Sequence, residues 1–328
     1  MSSLNKGNPL YYDDICLIPN NFSELTSRDD ADTSVLFLGR KYKLPVILAN
    51  MESVVNLDVC RKLSSNGYFY IMHRFGYVIK DDMKLSVTQD LVQTANKEGW
   101  ETISISTGVN DDSKRDLDWI KAYDYDVDVI TIDVALGYHQ QVEDRIKYIR
   151  DNFPNVKIIA GNVAESEGAR FLADLQVDAI KVGIGQGKVC TTKLQTGFTA
   201  PMLWSITEAL KGAGNVPIIA DGGIQYNGDI AKAILFGADM VMTGGLFAPC
   251  VDSAAVISSD GTKHYYGSAS FASKKHSKHV EGKSMAIETD KTILEKLDEV
   301  KQSLQSSISY AGGNKLDALK MVDWLQIK

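Results

Sequence analysis

Ala179-Ile-Lys-Val-Gly183-Ile-Gly-Gln-Gly-Lys-Val-Cys190-Thr-Thr192 runs from a short apolar stretch through a glycine-rich turn to a cysteine. Ala179–Val182 is β-branched, near-continuously apolar and stopped by glycine, the pattern of a strand buried on both faces. The same pattern recurs at Leu44–Leu48, Phe69–Met72, Thr102–Ser106, Val129–Asp133, Lys157–Ala160, Pro217–Ala220 and Met240–Met242, with helical stretches between. Such alternation predicts a parallel sheet covered by helices. About eight units in a chain of 328 residues predict an α/β fold of the (β/α)8 TIM-barrel type. The competing doubly wound sheet requires a G-x-G-x-x-G turn after an early strand, and none is present. Repeats and low-complexity linkers are absent, so residues 1–328 are expected to form a single domain with a mobile segment around 265–289.

Composition removes several classes of function. A net charge of -7 argues against a nucleic-acid partner, whose footprint is basic. No apolar run approaches the roughly 20 residues of a membrane span. The start, Met1-Ser-Ser-Leu-Asn-Lys-Gly7, lacks an apolar signal core, so a cytoplasmic location is expected. Cys16, Cys60, Cys190 and Cys250 are scattered without a CxxC pair, which fits a reducing compartment and neither a disulfide framework nor a zinc site.

The polar residues cluster just after the strand runs: Asn50, His73-Arg74, Gly108, Asp133, Gly161-Asn162, the 183–190 loop, Asp221-Gly-Gly223 and Gly244-Gly245. In a barrel these converge on the C-terminal mouth, where catalytic groups sit, although any single Asp or Asn there is as readily a helix cap. Cys190 follows glycines that let the backbone approach a ligand and precedes the hydroxyls of Thr191 and Thr192. That is the setting of a covalent nucleophile; the plainer alternative is a buried structural thiol. The paired glycines at 222–223 and 244–245 expose N–H groups where barrels bind phosphate, so a phosphorylated small molecule is expected, with Asp221 free to accept from sugar hydroxyls.

The ordered segments Tyr12-Asp-Asp-Ile-Cys-Leu-Ile-Pro-Asn20, Ala49-Asn-Met51, Tyr70–Phe75, Ile132-Asp-Val-Ala135, Ala160–Val163, the cysteine loop, Ile219–Ile224, Gly267-Ser-Ala-Ser270, Val280-Glu-Gly-Lys283 and Gln305–Gly313 carry a resemblance to the IMP dehydrogenase/GMP reductase family. The reductase branch is the nearer. No regulatory insertion separates the early units, and Phe271–His279 lacks the Arg-Tyr pair of the dehydrogenase flap.

The resemblance implies NADPH-dependent conversion of GMP to IMP and ammonia, with Cys190, Thr192 and Glu281 as the catalytic set. It places Arg74, Asp133, Asn162, Ile219, Ala220, Asp221, Gly222, Gly223 and Lys283 at the cofactor. Lys188, Asp221, Gly223, Gly244, Gly245, Gly267 and Ser268 fall at the substrate. Carbonyls of Gly185, Gly187 and Cys190 match a potassium site, and a homotetramer is implied. The basic cluster Lys274–His279 either meets the extra phosphate of NADPH or is solvated surface. An IMP dehydrogenase without its insertion, and a nucleotide-binding member without turnover, are the alternatives.

Four departures from the family pattern stand near the site. Gln186 replaces the usual proline, which predicts a less rigid loop. Gln225-Tyr-Asn227 replaces Arg-Thr-His, and Leu136-Gly-Tyr-His139 and Thr199–Trp204 also differ. Further on, Thr289-Asp290 is expected to cap a helix with its apolar stripe at Ile293, Leu294, Leu297, Val300, Leu304 and Ile308.

Overall fold

A parallel seven-stranded sheet carries the chain, in the order β1-β7-β6-β5-β4-β3-β2. Its strands are β1 (Val46–Leu48), β2 (Ser104–Thr107), β3 (Val129–Asp133), β4 (Lys157–Val163), β5 (Ala179–Val182), β6 (Ile218–Asp221) and β7 (Met240–Thr243). The computed structural model describes residues 9–19, 22–23, 25–80, 82–271, 280–289 and 291–328. Lys274–His279 and Asp290 therefore lie outside the described residues.

Side chains alternate strictly across this sheet. Ile47, Val129, Ile159, Ala179, Ile219, Met240 and Met242 form an inner cluster with Phe69 and Ile71, while Val46, Leu48, Ile130, Ile132, Ile158, Ile180, Ile218 and Val241 face the helices. A sheet with an apolar core on each face is curled around the inner one, here as a half-barrel. Phe69 closes the inner cluster edge-on to Phe37 and Tyr42, at ring-centroid distances of 5.2 and 5.3 Å.

The run Phe69–Met72 is shorter as a strand than its composition predicts. Met72 bridges Ile105 in parallel, with its N–H on the Ser104 carbonyl at 3.1 Å and its carbonyl accepting from Ser106 at 3.0 Å. Upstream, the Tyr70 hydroxyl donates to the Thr102 carbonyl at 2.7 Å.

The covering helices are α1 (Leu57–Ser65), α2 (Val87–Glu98), α3 (Asp111–Ala122), α4 (Gln140–Asn152), α5 (Ser166–Asp174), α6 (Thr192–Thr196), α7 (Met202–Ala213), α8 (Asn227–Leu235) and α9 (Ile293–Tyr310). α2 starts on a reciprocal Ser86–Gln89 capping box and ends at Gly99 with φ +67°. α9 starts at Thr292, later than Thr289-Asp290. Thr292 forms the capping box with Glu295, which the earlier threonine has no matching acid to make. Its buried face is the expected stripe except that Leu294 is half-buried and Gln305 is buried, donating to the Asp29 and Ala31 carbonyls at 3.0 and 3.3 Å. A hairpin, β8 (Lys263–Tyr266) with β9 (Ser284–Ile287), brackets the distal segment that reaches back to the cysteine loop.

Candidate active site

The cysteine loop leaves β5 pressed against β6. Gly183 has φ +139°, and a Cβ there would lie 2.2 Å from the Asp221 carbonyl oxygen, so only glycine fits. Further on, the Cys190 N–H closes a tight turn onto the Gly187 carbonyl at 3.0 Å. The segment 281–283 then zips onto the loop. Thr191 N–H donates to the Glu281 carbonyl at 2.7 Å, and Lys283 N–H to the Val189 carbonyl at 2.8 Å.

This docking brings three side chains into line. The half-buried Cys190 Sγ donates to Thr192 Oγ1 at 3.2 Å, and Thr192 Oγ1 donates to Glu281 Oε2 at 2.7 Å. The bonds point one way, from thiol to hydroxyl to carboxylate. A proton can leave the sulfur along this path and be stored on the acid.

Beside the thiol, the strand ends carry a buried charge network. Lys181 is 1% exposed, and its Nζ lies 2.7 Å from Asp133 Oδ1 and 3.1 Å from Asp221 Oδ2. Asn162 Nδ2 donates to the same Asp221 oxygen at 2.9 Å and to the Gly183 carbonyl at 2.7 Å. Burial alone would lower the Lys181 pKa, but the two carboxylates outweigh it and hold the ammonium above its ordinary value. Burial likewise acts to raise Asp133, and the charges of Lys181 and Arg74 carry it below the usual carboxylate range. Arg74 is lowered by burial, partly offset by Asp133. His73, 5% exposed, is pushed down by burial to about 4.

Cys190 lies where two clefts meet. One, of about 500 Å³, is lined by both glycine turns together with Gly187, Lys188, Lys283, Tyr12 and Tyr265. The other, of about 540 Å³, is lined by Arg74, Asp133, Asn162, Lys181, Gly185, Thr192, Asp221, Ser268 and Glu281.

Most predicted site residues line one cleft or the other. Gly222 and Lys283, assigned to the cofactor, and Gly223, assigned to both cofactor and substrate, stand with Lys188, Gly244 and Gly245 in the glycine-turn cleft. Ser268, assigned to substrate, stands with Asp133 and Asn162. Ile219 and Ala220 line neither cleft, since both are fully buried strand residues on opposite sheet faces. Gly267 also lies behind the clefts, its carbonyl accepting from Ser270 N–H at 2.9 Å. Lys181 was missed as a site residue. Its signal was available: a lysine inside an otherwise apolar parallel strand needs a buried counter-charge.

The site is a half-buried thiol hydrogen-bonded through a hydroxyl to a carboxylate, set at the strand ends of a curled α/β sheet between two clefts. Comparison with known proteins shows the family of the chain. The family profile described as an IMP dehydrogenase / GMP reductase domain matches residues 9–326. Proteins named GMP reductase are 44% identical in Bacillus licheniformis, across 97% of this chain and 95% of theirs, and 44% identical in Oenococcus oeni, across 97% and 96%. A Streptococcus pyogenes relative of the same name is 43% identical across 97% of this chain and 94% of its own. The chain belongs to the IMP dehydrogenase/GMP reductase family.

Proposed function

We propose that this chain is a GMP reductase, an oxidoreductase that takes GMP and NADPH to IMP, ammonia and NADP. The observation that carries the reading is the directed chain from Cys190 through Thr192 to Glu281, in a family member whose relatives bear that name.

Cys190 attacks C2 of the purine, and its proton passes through Thr192 to Glu281. The acid returns that proton to the amine as the C2–N bond breaks, so ammonia leaves and a thioimidate joins C2 to sulfur. When bound, NADPH supplies the hydride that C2 needs for the thiolate to depart with its bonding pair. Arg74, Asp133 and Asn162 would hold its nicotinamide end. Arg74 Nε and Asn162 Oδ1 are buried without partners among the described residues, and a carboxamide offers both the acceptor and the donor they lack.

Gly222, Gly223, Gly244 and Gly245 present backbone to the nucleotide phosphate, with Lys188 and Lys283 supplying charge. Asp221 receives the ribose; both of its side-chain bonds fall on Oδ2, leaving Oδ1 for a hydroxyl. The carbonyls of Gly185, Gly187 and Cys190 suit a hard, weakly hydrated cation such as potassium. The Gly187 oxygen, already accepting from Cys190 N–H, keeps a second lone pair for it.

The same reading completes the sheet as a closed (β/α)8 barrel forming one domain over 1–328, with the segment around 265–289 as a flap over the mouth. It makes the active form a cytoplasmic homotetramer. Among the described residues no helix is long and apolar enough to cross a membrane. Steady-state turnover of GMP with NADPH against IMP with NAD tests the proposal. GMP-dependent oxidation of NADPH is expected; NAD reduction with IMP would make the chain a dehydrogenase, and tight nucleotide binding without either would make it a binding protein.

A further inference from the structure

Gln186 has no role in the chemistry above, yet its side chain is fully engaged as a donor. Nε2 donates to the Ala200 carbonyl at 2.6 Å and to Thr199 Oγ1 at 2.9 Å. Thr199 Oγ1 donates in turn to the Ile184 carbonyl at 3.1 Å, which also accepts the Ala200 N–H at 3.4 Å. The partners lie 13 and 14 residues beyond Gln186, and between them run Cys190, Thr192 and all of α6. The Gln186 side chain therefore braces a ring of backbone around the nucleophile that the Ala200–Ile184 bond also ties, removing freedom that an open loop of that length would keep.

Two glycines make the closure possible. Gly197 ends α6 at φ +78° and turns the chain back, and Gly185 at φ +77° leaves room for Thr199, whose hydroxyl a Cβ there would meet at 2.8 Å. The ring is backed on its other side by Gly222, where a Cβ would lie 3.1 Å from Gly187 N. Glu281 is tied to the ring by the Thr191 N–H on its carbonyl at 2.7 Å and anchored outside it by its own N–H on the Ala269 carbonyl at 3.0 Å. Closure of the ring thus fixes the part of the thiol and hydroxyl placement that the backbone bonds to 281–283 leave free.

We propose that Gln186 and Thr199 form a clamp that positions Cys190 and Thr192 against Glu281. Gln186 is then a positioning residue, and the clamp supplies the rigidity that its replacement of a proline would otherwise remove. The turnover arm of the test rests on the GMP reductase reading; the thiol-reactivity arm does not.

Gln186→Leu removes both donors at similar volume, and Thr199→Val removes the hydroxyl. Each is expected to lower kcat roughly 10-fold, the scale of a small misplacement of reacting groups, with KM for GMP changed less than about 2-fold. Each should also slow iodoacetamide alkylation of Cys190, followed on its mapped peptide, while the unfolding midpoint stays at the wild-type value. The double variant should be no slower than the slower single one, and Thr199→Ser should restore wild-type rates. Wild-type kcat and alkylation in both single variants, faster alkylation, multiplied losses in the double variant, or losses that track a lowered midpoint would each overturn the clamp. If wild type fails to turn over GMP while alkylation still responds, the reductase reading falls and the clamp stands. Should Gln186→Leu not fold, the Thr199→Val and Thr199→Ser pair decides the question.

Discussion

The two sides of Cys190 are assembled by different means. On one side Asp133, Lys181, Asp221 and Asn162 stand on the adjacent strands β3 to β6, so their spacing follows from strand separation alone. On the other, Thr192 and Glu281 are 89 residues apart and meet because a distal segment docks onto a loop. The network belongs to the sheet, and damage to it is felt in stability. The proposed proton path belongs to two loops, and damage to it is expected to be felt in turnover with the fold intact.

The largest separation between the two should come from the thiol itself. Cys190→Ala is expected to lower kcat at least roughly 10³-fold while shifting unfolding free energy by less than about 0.5 kcal/mol, measured by steady-state assay and urea titration. On the sheet side, Lys181→Met leaves two carboxylates facing each other without their buried cation. Stability should drop by about 3–5 kcal/mol in urea, and a loss under about 1 kcal/mol would mean that the network is not held as a unit.

The pH dependence sharpens the same contrast. Unfolded, His73 binds a proton below its ordinary value of 6.5; folded, it does so only near 4. Between those values the unfolded chain carries the extra proton, so stability is highest above pH 6.5, falls as pH drops toward 4, and levels off below. The contribution is about 3 kcal/mol, and His73→Asn should remove that part of the slope in unfolding measured from pH 7 to pH 4. The smallest of these effects is on the loop side. Glu281→Gln keeps the hydrogen bond from Thr192 but cannot store the proton, so kcat should fall roughly 10²-fold with little change in KM or stability.

What could be read from the sequence divides along the same line. β3 and β5 were legible residue for residue, and β4, β6 and β7 to within a few positions, because a strand buried on both faces announces itself by composition. The Phe69–Met72 run was not: among the described residues it pairs as an isolated bridge from Met72 to Ile105, and composition carries no trace of how far a ladder extends. Cys190 was legible from its glycines. Glu281 was legible only through the family resemblance, because an acid in a polar segment looks like any surface charge until the distal segment docks. Gln186 and Thr199 stood in the sequence as two separate departures from the family; their contact across 13 residues makes them one feature, and single positions do not encode contacts.

The most direct test is to count ammonia released against NADPH oxidised when GMP is added to wild type and to Glu281→Gln. The account predicts equimolar, GMP-dependent release in wild type and a proportional slowing of both signals in the variant. Oxidation of NADPH without ammonia, or an unslowed variant, would contradict a reductive deamination driven through Cys190, Thr192 and Glu281.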